Sequence, residues 1–212
     1  MSIKVKICGI NTIESLRASE SADFLGFVFY PKSPRFINAE TAKKFSQLVN
    51  KKQKKVGLFV DTEDSVIEYI SNYVGLDLLQ FHGKESPEKI KYFKDKLNIP
   101  IIKSINVSCY KDTEKYREYI EICDMILFDS APIRSDLPGG SGNKFDWEFL
   151  KKLEIKGDWM LAGGICKENL VEAVKITNAP IIDISSGLES KKGIKSEKKI
   201  KEFLKLVKSL NC

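Results

Sequence analysis

The most constraining feature of this 212-residue sequence is a pattern that occurs eight times: a short apolar run, a polar or glycine turn, and a stretch with helical spacing of apolar residues. Such alternation predicts parallel strands joined by helices. The predicted strands are Lys4–Ile7, Phe24–Phe29, Lys55–Val60, Leu78–Phe81, Pro100–Ile105, Met125–Phe128, Trp159–Ala162 and Ile181–Ile184. Eight units in a chain of this length favour a closed (β/α)8 TIM barrel.

No linker, low-complexity tract or change of composition interrupts these units, so we expect one barrel domain over residues 1–212. An open dinucleotide-binding sheet is disfavoured because the first turn, Cys8–Asn11, lacks the Gly-x-Gly-x-x-Gly pattern. The helices are predicted from apolar spacing and from capping signals. They begin with a capping box at Asn11–Glu14 and include Ala39–Asn50, Asp64–Val74, Pro87–Leu97 after Ser86, Lys111–Ile122, Trp147–Leu153, Glu168–Ile176 and Lys198–Leu210.

Composition narrows the class of protein. The net charge is +6, but only four of 35 basic residues are arginines, which disfavours nucleic-acid binding because such proteins favour arginine forks and aromatic platforms. No apolar run is long enough to span a membrane, and the first residues lack a signal-peptide core, so we expect a cytoplasmic protein. Five scattered cysteines and one histidine argue against a disulfide framework and a structural zinc site.

Glycine and serine turns follow the last three predicted strands. In a barrel, the loops after strands seven and eight often bind phosphate through backbone N–H groups. One such turn could be a tight connection only, but three at one end of a barrel favour a phosphate site. The candidate binding residues are Gly142, Gly163, Gly164, Ser185, Ser186 and Gly187.

Two candidates for proton transfer also lie at predicted strand ends. Cys8 follows the first strand, and although free cysteines are often buried only as small apolar groups, this position suits a nucleophile or base. Asp129 follows the sixth strand, where partly desolvated surroundings suit a general acid. A loop-capping role is equally open for Asp129, and Asp61 and Asp183 compete for the same function.

Two further side chains could bind a ligand. Arg35 lies in a proline-containing loop after the second strand, where its guanidinium could hold a carboxylate through two parallel hydrogen bonds, or could simply face solvent. His82 follows the fourth strand and could orient a ligand or serve a structural role.

These residues occur in stretches that resemble the phosphoribosylanthranilate isomerase family of tryptophan biosynthesis. The resemblance extends in order over nearly the whole chain, so it is strong although no single motif is. The stretches are Lys6–Gly9, Gly26–Arg35, Val56–Asp61, Leu79–Gly83, Leu127–Asp129, Gly139–Gly142 with Phe145–Trp147, Leu161–Gly164 and Asp183–Glu189.

The resemblance implies an Amadori rearrangement of N-(5-phospho-β-D-ribosyl)anthranilate to 1-(2-carboxyphenylamino)-1-deoxyribulose 5-phosphate. It implies Cys8 as the base, Asp129 as the acid and Arg35 as the carboxylate clamp, with a phosphate cradle near Gly142, Gly164, Ser186 and Gly187. It implies no metal, no cofactor and no obligate protein partner. The phosphosugar is then the only binding partner expected.

Two positions depart from the family pattern. The loop after the sixth strand reads Gly-Gly-Ser-Gly-Asn-Lys, where the family usually has threonine and then lysine straight after the last glycine. Asn143 therefore puts a lysine contact at that position in doubt. Cys166 is a second thiol, close to Gly164, that the pattern does not require.

Four other functions were compared with the sequence. A metal-dependent epimerase would need several histidines, and indole-glycerol-phosphate synthase would need a helical N-terminal extension. A cysteine hydrolase would have only His82 as its base. A binding module that holds a phosphosugar without converting it has no such conflict, and only a turnover measurement separates it from an isomerase.

Overall fold

The computed structural model describes residues 2–131, 145–151, 153, 155 and 157–211. Within them, eight parallel strands form a closed barrel in the order of the chain, which confirms the predicted (β/α)8 TIM-barrel fold. The strands are β1 (Lys4–Cys8), β2 (Phe24–Val28), β3 (Lys54–Phe59), β4 (Leu78–Phe81), β5 (Ile101–Val107), β6 (Met125–Ser130), β7 (Trp159–Leu161) and β8 (Ile181–Ile184).

Helices connect these strands and cover the barrel. They are α1 (Ile13–Ala18), α2 (Ala39–Ser46), α3 (Asp64–Val74), α4 (Pro87–Leu97), α5 (Tyr110–Thr113), α6 (Leu170–Thr177) and α7 (Glu197–Leu210). Short 3-10 turns occur at Glu114–Glu118, Trp147–Phe149 and Ser186–Leu188, and an antiparallel hairpin of β9 (Glu189–Lys191) and β10 (Ile194–Lys195) precedes α7. None of the described helices is long and apolar enough to cross a membrane.

Side chains of β1 alternate between two environments, as a period of two requires. Val5 and Ile7 pack outward into the large apolar cluster shared with the helices. Lys6 and Cys8 point the other way, since Lys6 pairs with Asp183 inside the barrel and Cys8 packs with Val28. Strand β1 therefore presents two polar side chains, one above the other, to the barrel interior.

Apolar residues in or directly after the strands fill the interior below the mouth. These are Phe24, Val56, Leu78, Ile102, Leu127, Met160, Ala162 and Ile181, with Met125 packed at their edge. All eight are buried, so this end of the barrel is a packed core and not a channel. Ligand access is consequently expected at the opposite end, where the strands terminate.

The structure corrects several predicted elements. The capping box at α1 consists of Thr12 and Ser15, not Asn11 and Glu14, because the Thr12 hydroxyl accepts the Ser15 N–H. The predicted helix over residues 111–122 is one α-turn followed by a 3-10 turn. Its start is fixed by Asp112, which accepts the N–H groups of Ser108 and Cys109, and the tighter turn places Tyr116 against the barrel.

Three further differences concern the second half of the chain. The helix predicted over 147–153 is only a 3-10 turn, capped by Asp146. Strand β6 continues through Asp129 and Ser130, which pair with Asn106 and Val107 of β5. Asp129 is therefore held within a strand and not in a loop. The hairpin β9–β10 was not predicted at all.

Candidate active site

The predicted site residues converge on one cavity at the carboxyl end of the barrel. Its lining includes Cys8, Arg35, His82, Asp129, Gly163, Gly164, Ser185 and Ser186. Gly187 belongs to the 3-10 turn that directly follows, and Gly142 lies outside the described residues. Six different β-strand ends or following loops thus bring residues from across the sequence to one mouth.

Cys8 is a free, buried thiol at the floor of the cavity. Burial raises the pKa of Cys8, since a thiolate is poorly solvated there, and the negative charge of Asp183 raises it further. The positive charges of Lys6 and Lys195 act in the opposite direction and offset part of this rise. The resting form of Cys8 is consequently the thiol, with two cations close by that favour the thiolate.

Asp129 lies on the other side of the same cavity and is equally buried. Its Oδ1 accepts the Ser130 N–H at 2.8 Å, and its Oδ2 lies 3.3 Å from Nε2 of His82, at an angle that does not make a hydrogen bond. The Gln80 amide donates to Nδ1 of His82 at 3.0 Å, so a neutral His82 carries its proton on Nε2, toward Asp129. This arrangement fixes the carboxyl group in place and leaves it facing the cavity.

The structure separates the three aspartates that compete for the acid function. Asp61 is exposed and does not line the cavity; its Oδ1 accepts the Lys84 N–H at 2.7 Å. Asp183 lines the cavity, but its Oδ1 accepts from the fully buried Lys6 at 2.9 Å. Asp129 is therefore the carboxyl group with a free path to a ligand and no lysine attached.

Arg35 is buried at the rim of the cavity, which makes a purely surface role untenable. Its Nε and Nη2 donate to the two carboxylate oxygens of Glu189, at 2.6 and 3.2 Å. Glu189 also accepts from Lys195 at 3.0 Å and from the Gly193 N–H at 3.0 Å. The unpredicted hairpin therefore delivers a carboxylate that orients the Arg35 guanidinium.

We expect Glu189 to make the fold sensitive to acid. Burial alone would raise the pKa of Glu189, but the bond from Arg35 and the charge of Lys195 outweigh it and lower the pKa to about 2. A folded-state pKa below the unfolded value stabilises the fold above about pH 5, and this contribution disappears as the pH falls toward 2. Its upper bound is about 3 kcal/mol.

The measurement is urea unfolding of the wild type and of Glu189→Gln at pH 7 and pH 3.5. The difference in unfolding free energy between the two proteins should shrink by about 1 kcal/mol at the lower pH, because glutamine does not titrate. An equal difference at both pH values would show that the ion pair does not have the assigned strength.

The loops after β7 and β8 provide the glycine-rich part of the rim. Gly163 and Gly164 have φ angles of +86° and +63°, and a Cβ on Gly163 would lie 2.6 Å from the Ser130 nitrogen. Within the described ranges, the backbone N–H groups of Gly164, Ser186 and Gly187 donate to no acceptor of the protein. Unpaired N–H groups grouped at a cavity rim are suited to bind an anion.

Sequence reasoning missed three charged residues at this site: Lys6, Glu189 and Lys195. Lys195 donates to Ser185 Oγ at 3.2 Å, and Ser185 Oγ donates to the Cys8 carbonyl at 2.9 Å. The position of Lys6 could have been predicted from the sequence. It lies between the apolar Val5 and Ile7 and two residues before Cys8, so it projects from the same face of the strand as Cys8. The positions of Glu189 and Lys195 could not, because the hairpin was not predicted.

Cys166, the second thiol near the mouth, does not line the cavity. Its N–H donates to Asn169 at 2.8 Å, and partial burial, with a bond to Glu168, raises the pKa of its thiol. In the described part of the chain, no group of three or more His, Cys, Asp or Glu side chains is placed to hold a metal ion.

Comparisons with known proteins identify the family. The family model described as N-(5′-phosphoribosyl)anthranilate (PRA) isomerase matches residues 5–206. The chain belongs to this family. A curated N-(5′-phosphoribosyl)anthranilate isomerase of Paracoccus denitrificans (strain Pd 1222) is 38% identical over 207 residues, which is 96% of each chain.

Solved PRA isomerase structures have the same fold. The phosphoribosyl anthranilate isomerase of Thermotoga maritima superposes with a TM-score of 0.87 at 34% identity, covering 98% of this chain and 99% of its own. Another, in complex with reduced 1-(o-carboxyphenylamino)-1-deoxyribulose 5-phosphate, gives 0.85 at 33% identity with the same coverage. Membership of the PRA isomerase family confirms the resemblance seen in the sequence, and the chain is an isomerase, as predicted.

Proposed function

We propose that this protein converts N-(5-phospho-β-D-ribosyl)anthranilate to 1-(2-carboxyphenylamino)-1-deoxyribulose 5-phosphate, with Asp129 as general acid and Cys8 as general base. The observation that carries the proposal is that a thiol and a carboxyl group line one cavity, whose rim also carries an arginine and unpaired backbone N–H groups. Membership of the PRA isomerase family supports it.

Arg35 and the unpaired backbone N–H groups match the two anionic ends of this substrate. The Arg35 guanidinium, oriented by Glu189, suits the planar anthranilate carboxylate. The N–H groups of Gly164, Ser186 and Gly187 suit the phosphate, which accepts several hydrogen bonds at once. A substrate held at both ends places its ribose between Cys8 and Asp129, so binding energy fixes the geometry of the reacting atoms.

The first chemical step is ring opening. Protonated Asp129 donates its proton to the furanose ring oxygen, the C1′–O bond breaks, and the anilino nitrogen takes the positive charge as an iminium. His82 borders Asp129 at 3.3 Å, and the bond from Gln80 holds its ring in position. The bond from the Ser130 N–H to Oδ1 holds the Asp129 carboxyl group where it lines the cavity.

The second step is removal of the C2′ proton. Cys8 first releases its resting proton to solvent, a loss that the positive charges of Lys6 and Lys195 favour. The thiolate then takes the C2′ proton, and the C–H electron pair forms the enolamine while the iminium nitrogen is neutralised. Tautomerisation of the enolamine to the ketone then gives the product. Both steps move protons and need no external oxidant or reductant, so an acid and a base suffice.

A cytoplasmic location and the absence of nucleic-acid or obligate protein partners stay predictions.

Turnover of freshly prepared phosphoribosylanthranilate tests the proposal. The loss of anthranilate-type fluorescence should be saturable in substrate and proportional to protein, and the ketose product should be identified by mass and absorbance. Decay at the rate of the buffer alone, with the reduced product analogue still bound, would show that the protein is a phosphosugar-binding module.

Arg35 offers a specific test of the substrate orientation. Arg35→Lys keeps one positive charge but loses the planar pair of donors, so we expect KM to rise by roughly ten- to a hundred-fold, with a smaller change in kcat. The assay is steady-state turnover, with Arg117→Lys as the control because Arg117 lies on the surface. An unchanged KM would place the anthranilate carboxylate elsewhere.

A further inference from the structure

Lys6 is a fully buried lysine that the proposed reaction does not use. Its side chain has no solvent exposure, and Nζ donates to Asp183 Oδ1 at 2.9 Å. Lysines are almost never buried to this degree, and replacing a buried ion pair by apolar side chains is often neutral or stabilising. Stability therefore does not account for a charged pair at this position.

The position of Lys6 relative to Cys8 is specific. The two residues are two apart on β1, so both project into the barrel, and Lys6 is paired in register with Asp183 of β8. The ammonium group bonds the Asp183 carboxylate, and its positive charge favours the thiolate form of Cys8, the next residue on the same face of β1. One cation thus lies beside the Asp183 carboxylate and one inward position before Cys8, and both of these groups are able to carry a negative charge.

We propose that Lys6 is a positioning residue for Cys8: its buried ammonium, bonded to the Asp183 carboxylate on the same inward face of β1 as Cys8, stabilises the thiolate that accepts the substrate proton. This inference rests on the proposed function of Cys8 as the base. Lys6 does not contact the substrate and acts through Cys8 alone.

The charge balance during the reaction explains the arrangement. Once Cys8 has lost its resting proton, Lys6 lies near a thiolate and a carboxylate. When the C2′–H bond breaks and the S–H bond forms, the sulfur becomes neutral and Lys6 remains paired with Asp183. Lys6 keeps its own proton throughout, since both anions raise its pKa against the opposing effect of burial. The Lys6 ammonium therefore has an anionic partner both before and after the proton transfer.

Other groups also face Cys8 or border its cavity, and their charges enter any pH dependence. Lys195 of β10 is the second cation near the sulfur, but it is already bonded to Glu189 and Ser185. The groups are Lys6, Tyr30, Arg35, His82, Asp129, Asp183 and Lys195. Lys6 and Asp183 are the pair with opposite effects on the sulfur, and they can be changed separately.

The test measures how fast iodoacetamide alkylates Cys8 as a function of pH, with mass spectrometry of the peptide that ends at Arg17. In Lys6→Met the midpoint should move up by about one pH unit or more, because the cation is lost. In Asp183→Asn the midpoint should move down, because the negative charge that opposes the thiolate is lost and the Lys6 charge remains. The matched control is Lys103→Met. Lys103 is another buried lysine, lies on β5 and pairs with Glu85 at 3.0 Å, and its replacement should not shift the midpoint.

Opposite shifts in the first two variants, with none in the control, support the inference. Shifts in the same direction, or no shift in either, overturn it, because general loosening of the barrel would affect both alike. If Lys6→Met does not fold, Lys6→Gln takes its place, because a downward shift in Asp183→Asn alone would also follow from loosening of the barrel. Alkylation needs no substrate, so opposite shifts without turnover would refute the proposed function only, and turnover without the shifts would refute the inference only.

Discussion

Replacement of Cys8 by alanine should lower kcat by roughly 10²- to 10⁴-fold, with a much smaller change in KM. The sulfur is small and buried, so alanine leaves the cavity walls and both anion-binding parts of the rim in place. Only the proton acceptor for the C2′ proton is removed. Ring opening by Asp129 does not require Cys8, and the substrate should bind with little loss.

The assay is steady-state turnover of phosphoribosylanthranilate, with Cys166→Ala as the matched control. Cys166 is a neighbouring thiol that does not line the cavity, and its replacement should leave kcat close to wild type. Turnover by Cys8→Ala at a similar rate to that control would remove the thiol from the mechanism.

The second large effect is expected from Asp129→Asn, with a loss in kcat of similar size. Asparagine has nearly the shape of aspartate, and its carbonyl oxygen still accepts the Ser130 N–H, which is 2.8 Å from Oδ1 in the wild type. The amide cannot give its proton to the ring oxygen, so ring opening fails while binding is retained. KM should therefore change little.

Asp61→Asn is the control, because Asp61 is an exposed strand-end aspartate outside the cavity. Binding of the reduced product analogue to both variants shows whether the site is intact. If Asp129→Asn were as active as Asp61→Asn, the acid would have to be another group of the cavity, and Asp183 would be the next candidate.

The sequence was sufficient for the barrel and for the residues at its mouth. Alternation of apolar runs and helical spacing locates strand ends to within about two residues, and in a closed parallel barrel all these ends meet. Cys8, Arg35, His82 and Asp129 could therefore be expected at one mouth before any coordinates were known. Their roles follow from side-chain chemistry and from the resemblance to the family.

The ion-pair partners of the charged residues at the site could not be predicted from the sequence. Lys6 meets Asp183 across 177 positions of the chain, and Arg35 meets Glu189 across 154. A charged side chain without its partner is expected to be solvated, so a single sequence gives no reason to bury it. Glu189 and Lys195 further depend on a hairpin of three and two residues, which is too short to leave a periodic signal.

A crystal structure of this protein with the reduced product analogue, in which the C2 carbonyl is an alcohol, tests the central claim most directly. We predict that Cys8 Sγ lies about 3.5 Å from C2 and that an Asp129 oxygen is about 3 Å from the C4 hydroxyl, which was the ring oxygen. The carboxylate should contact Arg35, and the phosphate should contact the loops after β7 and β8. An analogue bound with these ends exchanged, or with the sulfur and the Asp129 carboxyl group away from C2 and C4, would contradict the assignment of base and acid.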